Sequence, residues 1–232
     1  MQRSWKATLK NKFPPGVLNT MLLRFPFLYR TKLVFYETNF RGSGQIDELL
    51  VQVGTVLDIE GDIIECGSSR CGTSVIMANY LRTRHVSKKI LACDSFEGFD
   101  QAELNRERKA GLTSASSDSF TSTSYEYVKK KIAVLGLQEQ VIPIKGYFQD
   151  VLPNITGPFC LALIDCDLKD SLIYSAETIW PHLSSGGRIL FDDYLHPDFK
   201  GAKLGVDNFV DKHRAEISEH GLLSCLYYVC KL

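Results

Sequence analysis

The sequence has no stretch of about 18 apolar residues, the length a membrane-spanning helix needs. It has no Gly-x-Gly-x-x-Gly, which removes the strongest mark of a dinucleotide binder. It has no Cys-x-x-Cys pair among its seven cysteines, and an odd number cannot all pair within one chain. A zinc site on these spacings is therefore not expected. Several cysteines sit inside apolar runs, where they act as small buried hydrophobes, and a reducing, cytoplasmic compartment fits them. No signal peptide is evident, and no internal repeat. There is no net charge, so nothing global points to nucleic acid as a partner.

One absence is local. No acidic residue precedes Glu37, while Arg3, Lys6, Lys10, Lys12, Arg24, Arg30 and Lys32 do. This arm is +7 and the rest of the chain −7. Pro14, Pro15 and Pro26 keep it from forming one long helix. We read residues 1–45 as a basic N-terminal arm or lid, suited to a homo-oligomer contact, and residues 46–232 as the functional domain.

What is present is a parallel-sheet pattern. Strand-like apolar runs stand at Asp62–Cys66, Lys89–Cys93, Val141–Ile144, Phe159–Ile164, Arg188–Phe191 and Leu222–Val229. Helical stretches stand between them at Gly72–Leu81, Tyr125–Leu135, Ser171–Leu183 and Val206–Glu219. Runs without polar alternation, separated by helices, mean a sheet buried on both faces. The expected fold is a doubly wound α/β sandwich with its ligands at the carboxyl ends of the strands. Thr113–Ser124, rich in serine and threonine, reads as a surface loop or helix entry.

Three clusters carry chemistry. The first runs from Glu65 through Gly67, Ser68 and Arg70 to Gly72 and Thr73. A strand enters a glycine-containing turn and then a helix, whose N-terminus favours the carboxylate of S-adenosylmethionine or a pyrophosphate. An ordinary strand-to-helix turn has the same outline. In the second, Asp94 ends an apolar run and is followed by Ser95 and Phe96. An acid there suits ribose hydroxyls, and Phe96 is placed to flank a cofactor; a helix cap is the plainer role for Asp94.

The third cluster is the most specific. Asp165 and Asp167 follow the fourth run, and Asp192 and Asp193 follow the fifth. Neighbouring carboxylates repel one another and raise each other's pKa values. A hard cation such as Mg²⁺ relieves this, since it takes oxygen ligands. A capping role suits one of the four acids but not all. His196, three residues after Asp193, sits on the same rim and is a candidate base beside Asp167; a surface-loop histidine is the plainer reading.

These clusters, with Gly146–Pro153, Leu168, Ser171, Leu183–Gly187 and Tyr194, resemble the macrocin O-methyltransferase family over residues 60–215. The resemblance implies a seven-stranded, mostly parallel Rossmann-like sheet. It implies an enzyme that moves a methyl group from S-adenosylmethionine to a hydroxyl of a sugar or glycosylated natural product, using Mg²⁺. Asp165, Asp192 and Asp193 would then hold the metal and Asp167 would be the general base. Glu65, Gly67, Arg70, Asp94 and Ser95 would line the cofactor site, joined by Ser68, Gly72, Thr73, Phe96 and Asp165. The remaining alternatives are a catechol- or phenol-type O-methyltransferase, an NAD-dependent Rossmann oxidoreductase and a non-catalytic S-adenosylmethionine-binding protein.

Overall fold

The computed structural model describes residues 37, 38, 40 and 43–232. The basic arm up to residue 36 lies outside the described residues.

Alternation along the strands sorts the core into two layers. Ile63, Leu161, Leu163 and Leu190 face one cluster, with Leu49, Val53, Val75, Met77, Val128 and Ile132. Ile64, Ala162, Ile164, Ile189 and Phe191 face the other, with Leu172, Ala176, Val206 and Phe209. Both faces of the sheet are therefore covered, which explains the unbroken apolar runs. The strands are β1 Asp62–Cys66, β2 Ile90–Asp94, β3 Val141–Lys145, β4 Phe159–Ile164, β5 Leu183–Phe191, β6 Ile217–Leu222 and β7 Tyr227–Lys231. The helices are α1 Ser43–Thr55, α2 Gly72–Thr83, α3 Gln101–Lys109, α4 Tyr125–Leu135, α5 Phe148–Val151, α6 Lys169–Ile179 and α7 Lys200–Lys212.

Among the described residues there is a seven-stranded sheet in the order β3-β2-β1-β4-β5-β7-β6. β1 to β5 pair in parallel, and β7 runs antiparallel to both β5 and β6. The strand order reverses between β1 and β4, the switch point at which such sheets open a ligand crevice. No helix among the described residues is long and apolar enough to cross a membrane.

The fold agrees with the sequence reading in class and differs in its last third. The chain read as helix over Val206–Glu219 forms α7 from Lys200, a 3₁₀ turn at Arg214–Glu216 and then β6. Leu222–Val229, read as a strand, divides between the end of β6, a turn and the start of β7. The helix expected over Ser171–Leu183 spans Lys169–Ile179; a 3₁₀ turn at Trp180–His182 holds Pro181, and Leu183 already belongs to β5.

Candidate active site

The adjacent carboxyl ends of β1 and β4 set the floor of the site. Gly67 follows β1 with φ +93, and a Cβ there would collide with the carbonyl oxygen of Asp165 at the end of β4. Glycine alone allows both the backbone angle and the approach. Beneath it Glu65 is fully buried and accepts hydrogen bonds from the Thr73 and Ser74 hydroxyls in the first turn of α2. Burial pushes its carboxyl up to about 7, with the two hydroxyls and Lys131 pulling down and Asp94 pushing up.

Asp94, at the end of β2, ties the second strand to this turn. Its Oδ2 accepts from the Ser69 amide at 2.7 Å and its Oδ1 from the Phe96 amide at 2.6 Å. Burial raises its pKa and the two amides oppose the rise. One lone pair on each oxygen remains for a ligand.

The four aspartates after β4 and β5 arrive together. Asp165, Asp167 and Asp193 each place a carboxylate oxygen within 4.8 Å of the others. Burial, then the neighbouring Asp192 and Asp193, drive the Asp165 carboxyl well above its usual range. Burial and Asp193 do the same to Asp167, whose carboxyl shares a hydrogen bond with that of Asp193. Asp192 stands beside this trio rather than in it; its carboxylate accepts from Gln45 of α1, and burial with the Asp193 charge lifts it to about 7. Asp167 (φ 58) and Asp193 (φ 60) are held in left-handed backbone, as are Ser69, Cys71 and Phe96 nearby. Such residues cost energy and collect where geometry serves a ligand.

A cleft partly open to solvent joins these elements. Of the residues singled out in the sequence, Gly67, Asp94, Ser95, Asp165 and Asp167 line it. Ser68 and Thr73 are buried behind the turn, and Gly72 opens α2 below it. Phe96 points into the core against Tyr125 rather than into the cleft. Arg70 turns toward Ser122 and Thr123 of the serine-rich segment. His196 is exposed, stacks on Phe199 and accepts the Asp198 amide on Nδ1.

The sequence reading did not place Phe99, Asp100, Phe120, Tyr147 and Phe148 on this cleft. For Tyr147 and Phe148 a signal existed: Gly146 ends β3 with φ +153, as Gly67 ends β1. For Phe99 and Asp100 it was the pattern Asp100-x-x-Glu103, in which the Asp100 carboxylate accepts the Glu103 amide and starts α3. Helix α3 then supplies caps for another helix. Glu103 accepts from the amide (2.9 Å) and hydroxyl (2.6 Å) of Ser171, and Glu107 accepts from the Lys169 amide at 2.5 Å. All three bonds fasten the first turn of α6, directly after Asp167.

With this geometry in hand, the model of the macrocin-O-methyltransferase family matches residues 39–220. The chain belongs to the macrocin O-methyltransferase family. Among curated relatives, the 8-demethyl-8-(2,3-dimethoxy-alpha-L-rhamnosyl)-tetracenomycin-C 4'-O-methyltransferase of Streptomyces olivaceus is 31% identical, over 66% of this chain and 61% of its own length. The demethyldecarbamoylnovobiocin O-methyltransferase of Streptomyces niveus is 31% identical, over 68% of this chain and 60% of its own. The chain thus spans about three-fifths of the length of the curated relatives it matches. In fold it matches the O-methyltransferase NovP, with TM-score 0.72 and 21% identity over 94% of this chain and 99% of that one. The calicheamicin methyltransferase CalS11 follows, with TM-score 0.69 and 19% identity over 93% and 91% of the two chains. The seven-stranded sheet is thus that of the O-methyltransferases.

Proposed function

We propose that this protein is a metal-dependent O-methyltransferase that uses S-adenosylmethionine and acts on a hydroxyl of a sugar or glycosylated natural product. The observation that carries the reading is that Asp165 and Asp167, on the wall of a cleft whose floor is the Gly67 turn and Asp94, meet Asp193 within 4.8 Å. Half-buried acids this close strongly favour their protonated forms without a counter-charge. An all-oxygen set of like charges fits a hard divalent cation such as Mg²⁺. When bound, Mg²⁺ supplies charge neutralisation and makes a nearby hydroxyl more acidic.

The chain's own residues divide the work. Asp165 and Asp193 would hold the cation; Asp192, which the family resemblance adds as a third ligand, stands beside the trio and faces Gln45. Asp94 would hold the ribose hydroxyls, and Gly67 leaves the turn open for the rest of the cofactor. Asp167 lines the cleft and takes the acceptor's proton, in the carboxylate form that a neighbouring cation favours. His196 is the second choice for this role, because it is exposed and does not line the cleft. A sulfonium donor leaves as a neutral thioether, so no acid is required. The main contribution of the protein is alignment.

The sugar acceptor is supported by the relatives, whose names specify a rhamnosyl 4'-hydroxyl and a mycinamicin 3''-hydroxyl. Free thiols at all seven cysteines support a reducing, cytoplasmic setting. The test is to incubate the protein with S-adenosylmethionine, Mg²⁺ and a panel of glycosides and phenols, and follow products by mass. A gain of one methyl group on a glycoside is expected. A gain on phenols alone moves the acceptor to the catechol class. Binding of NAD in place of S-adenosylmethionine, or cofactor binding with no transfer to any acceptor, contradicts the reading.

A further inference from the structure

Lys131 on α4 is fully buried, an expensive position for an ammonium unless its charge is met. Its Nζ donates to the Arg70 carbonyl oxygen at 2.8 Å, inside the Gly67–Gly72 turn. The same Nζ lies 3.1 Å from Oε2 of Glu37, the first acidic residue of the chain. Tyr127, one helical turn before Lys131, donates its hydroxyl to that oxygen at 2.5 Å. The other oxygen of Glu37 faces the Arg70 guanidinium at 3.8 Å. Arg70 in turn donates to the Ser122 hydroxyl at 3.2 Å and to the Thr123 hydroxyl at 3.4 Å. Burial pulls the Lys131 ammonium toward its neutral form and the Glu37 charge opposes this.

One carboxylate, only 11% exposed, therefore joins three pieces of chain. They are the segment before the domain, helix α4, and the turn that carries Gly67 and Ser69 into the cleft. The turn needs the support: Ser69 (φ 44) and Cys71 (φ 52) are both left-handed without being glycine, and so is Glu37 itself (φ 59). Backbone in that region persists only where its surroundings over-determine it.

We propose that Glu37 is a positioning residue for cofactor binding. It touches neither cleft nor reacting atoms. It acts through Lys131 and Arg70, which fix the Ser68–Cys71 turn from below and from the side. The segment preceding the domain thereby reports to the cofactor site, and the serine-rich segment is held in register with the turn through Arg70. The inference rests on the reading of this cleft as the S-adenosylmethionine site.

The test uses the full chain, with S-adenosylhomocysteine as the calorimetric probe. Glu37→Gln keeps an oxygen for Tyr127 but removes the negative charge that Glu37 presents to Lys131 and Arg70. It is compared with wild type and with Phe209→Leu, a cavity variant in the opposite core layer. Glu37→Asp replaces it if Glu37→Gln does not fold. All are measured well below their melting temperatures. We expect Glu37→Gln to bind at least about fivefold more weakly, and Phe209→Leu to bind within twofold of wild type at a comparable loss of thermal stability. Amide exchange should quicken at residues 68–73 and 120–123 in Glu37→Gln only. Wild-type affinity and unchanged exchange in the Glu37 variant overturn the inference. A wild-type protein that does not bind the probe instead overturns the cofactor reading, a separately visible failure.

Discussion

The two ends of the parallel strands are built on opposite terms. At the amino ends the charged groups are met locally. Lys88 donates to the carbonyls of Ile59 (2.5 Å) and Gly61 (2.9 Å), and Asp62 accepts the Lys89 amide at 2.8 Å. At the carboxyl ends Glu65, Asp94, Asp165, Asp167, Asp192 and Asp193 all have raised pKa values, with burial as the first cause in each. Six non-glycine residues there are left-handed, Phe120 on the cleft among them, against His85 at the other end. One end is arranged for stability. The other keeps acids and strained backbone that only a ligand makes worthwhile.

Breaking the carboxyl end should cost activity before it costs the fold. Asp167→Asn should slow methyl transfer by roughly 10²–10⁴-fold, the usual worth of a general base. Single-turnover kinetics at saturating cofactor measure it, and a loss under threefold would pass the role to His196. Asp94→Ala should weaken S-adenosylmethionine binding by at least about tenfold, since each lost charge-assisted hydrogen bond is worth roughly 1.5–3 kcal/mol. Unchanged affinity by calorimetry would remove Asp94 from the ribose site.

Glu65 sharpens the comparison through pH. Its folded pKa of about 7 stands above the usual 4.5, so the folded state holds a proton that the unfolded state has released. Stability from this group is therefore fully present below about 4.5 and is lost as pH rises through about 7, on the order of 3 kcal/mol. Glu65→Gln should flatten that part of the profile. Urea unfolding of both proteins at pH 5 and pH 8 checks it; an equally steep loss in the variant would place the pH dependence elsewhere. The smallest effect is expected at the amino ends: Lys88→Ala should leave cofactor affinity and turnover within twofold while lowering the melting temperature slightly.

The same contrast explains what the sequence made legible. β1, β4 and α4 have the bounds read from the sequence, because their apolar runs or spacing answer to burial within the element itself. The acids after β2, β4 and β5 stood out because each ends such a run. Features resting on distant partners were not legible. Helix α6 starts two residues early because Glu103 and Glu107 of α3 cap it from more than sixty residues away. β6, Ile217–Leu222, is an edge strand with mostly exposed polar residues, so neither periodicity nor burial marks it. Phe96 read as a cofactor neighbour because of its place after Asp94, but its left-handed backbone (φ 54) accompanies a side chain packed in the core. The meeting of Asp167 with Asp193, with Asp192 set aside toward Gln45, depends on two left-handed residues that spacing does not reveal.

The central claim is that the carboxylates after β4 and β5 serve a divalent cation. Methyl transfer to an identified glycoside, followed in excess EDTA and again after Mg²⁺ is restored, tests it most directly. The account predicts that turnover is abolished by EDTA and recovered with Mg²⁺, while S-adenosylmethionine binds equally in both conditions. Full methyl transfer in excess EDTA would contradict it and return Asp165 and Asp193 to structural roles.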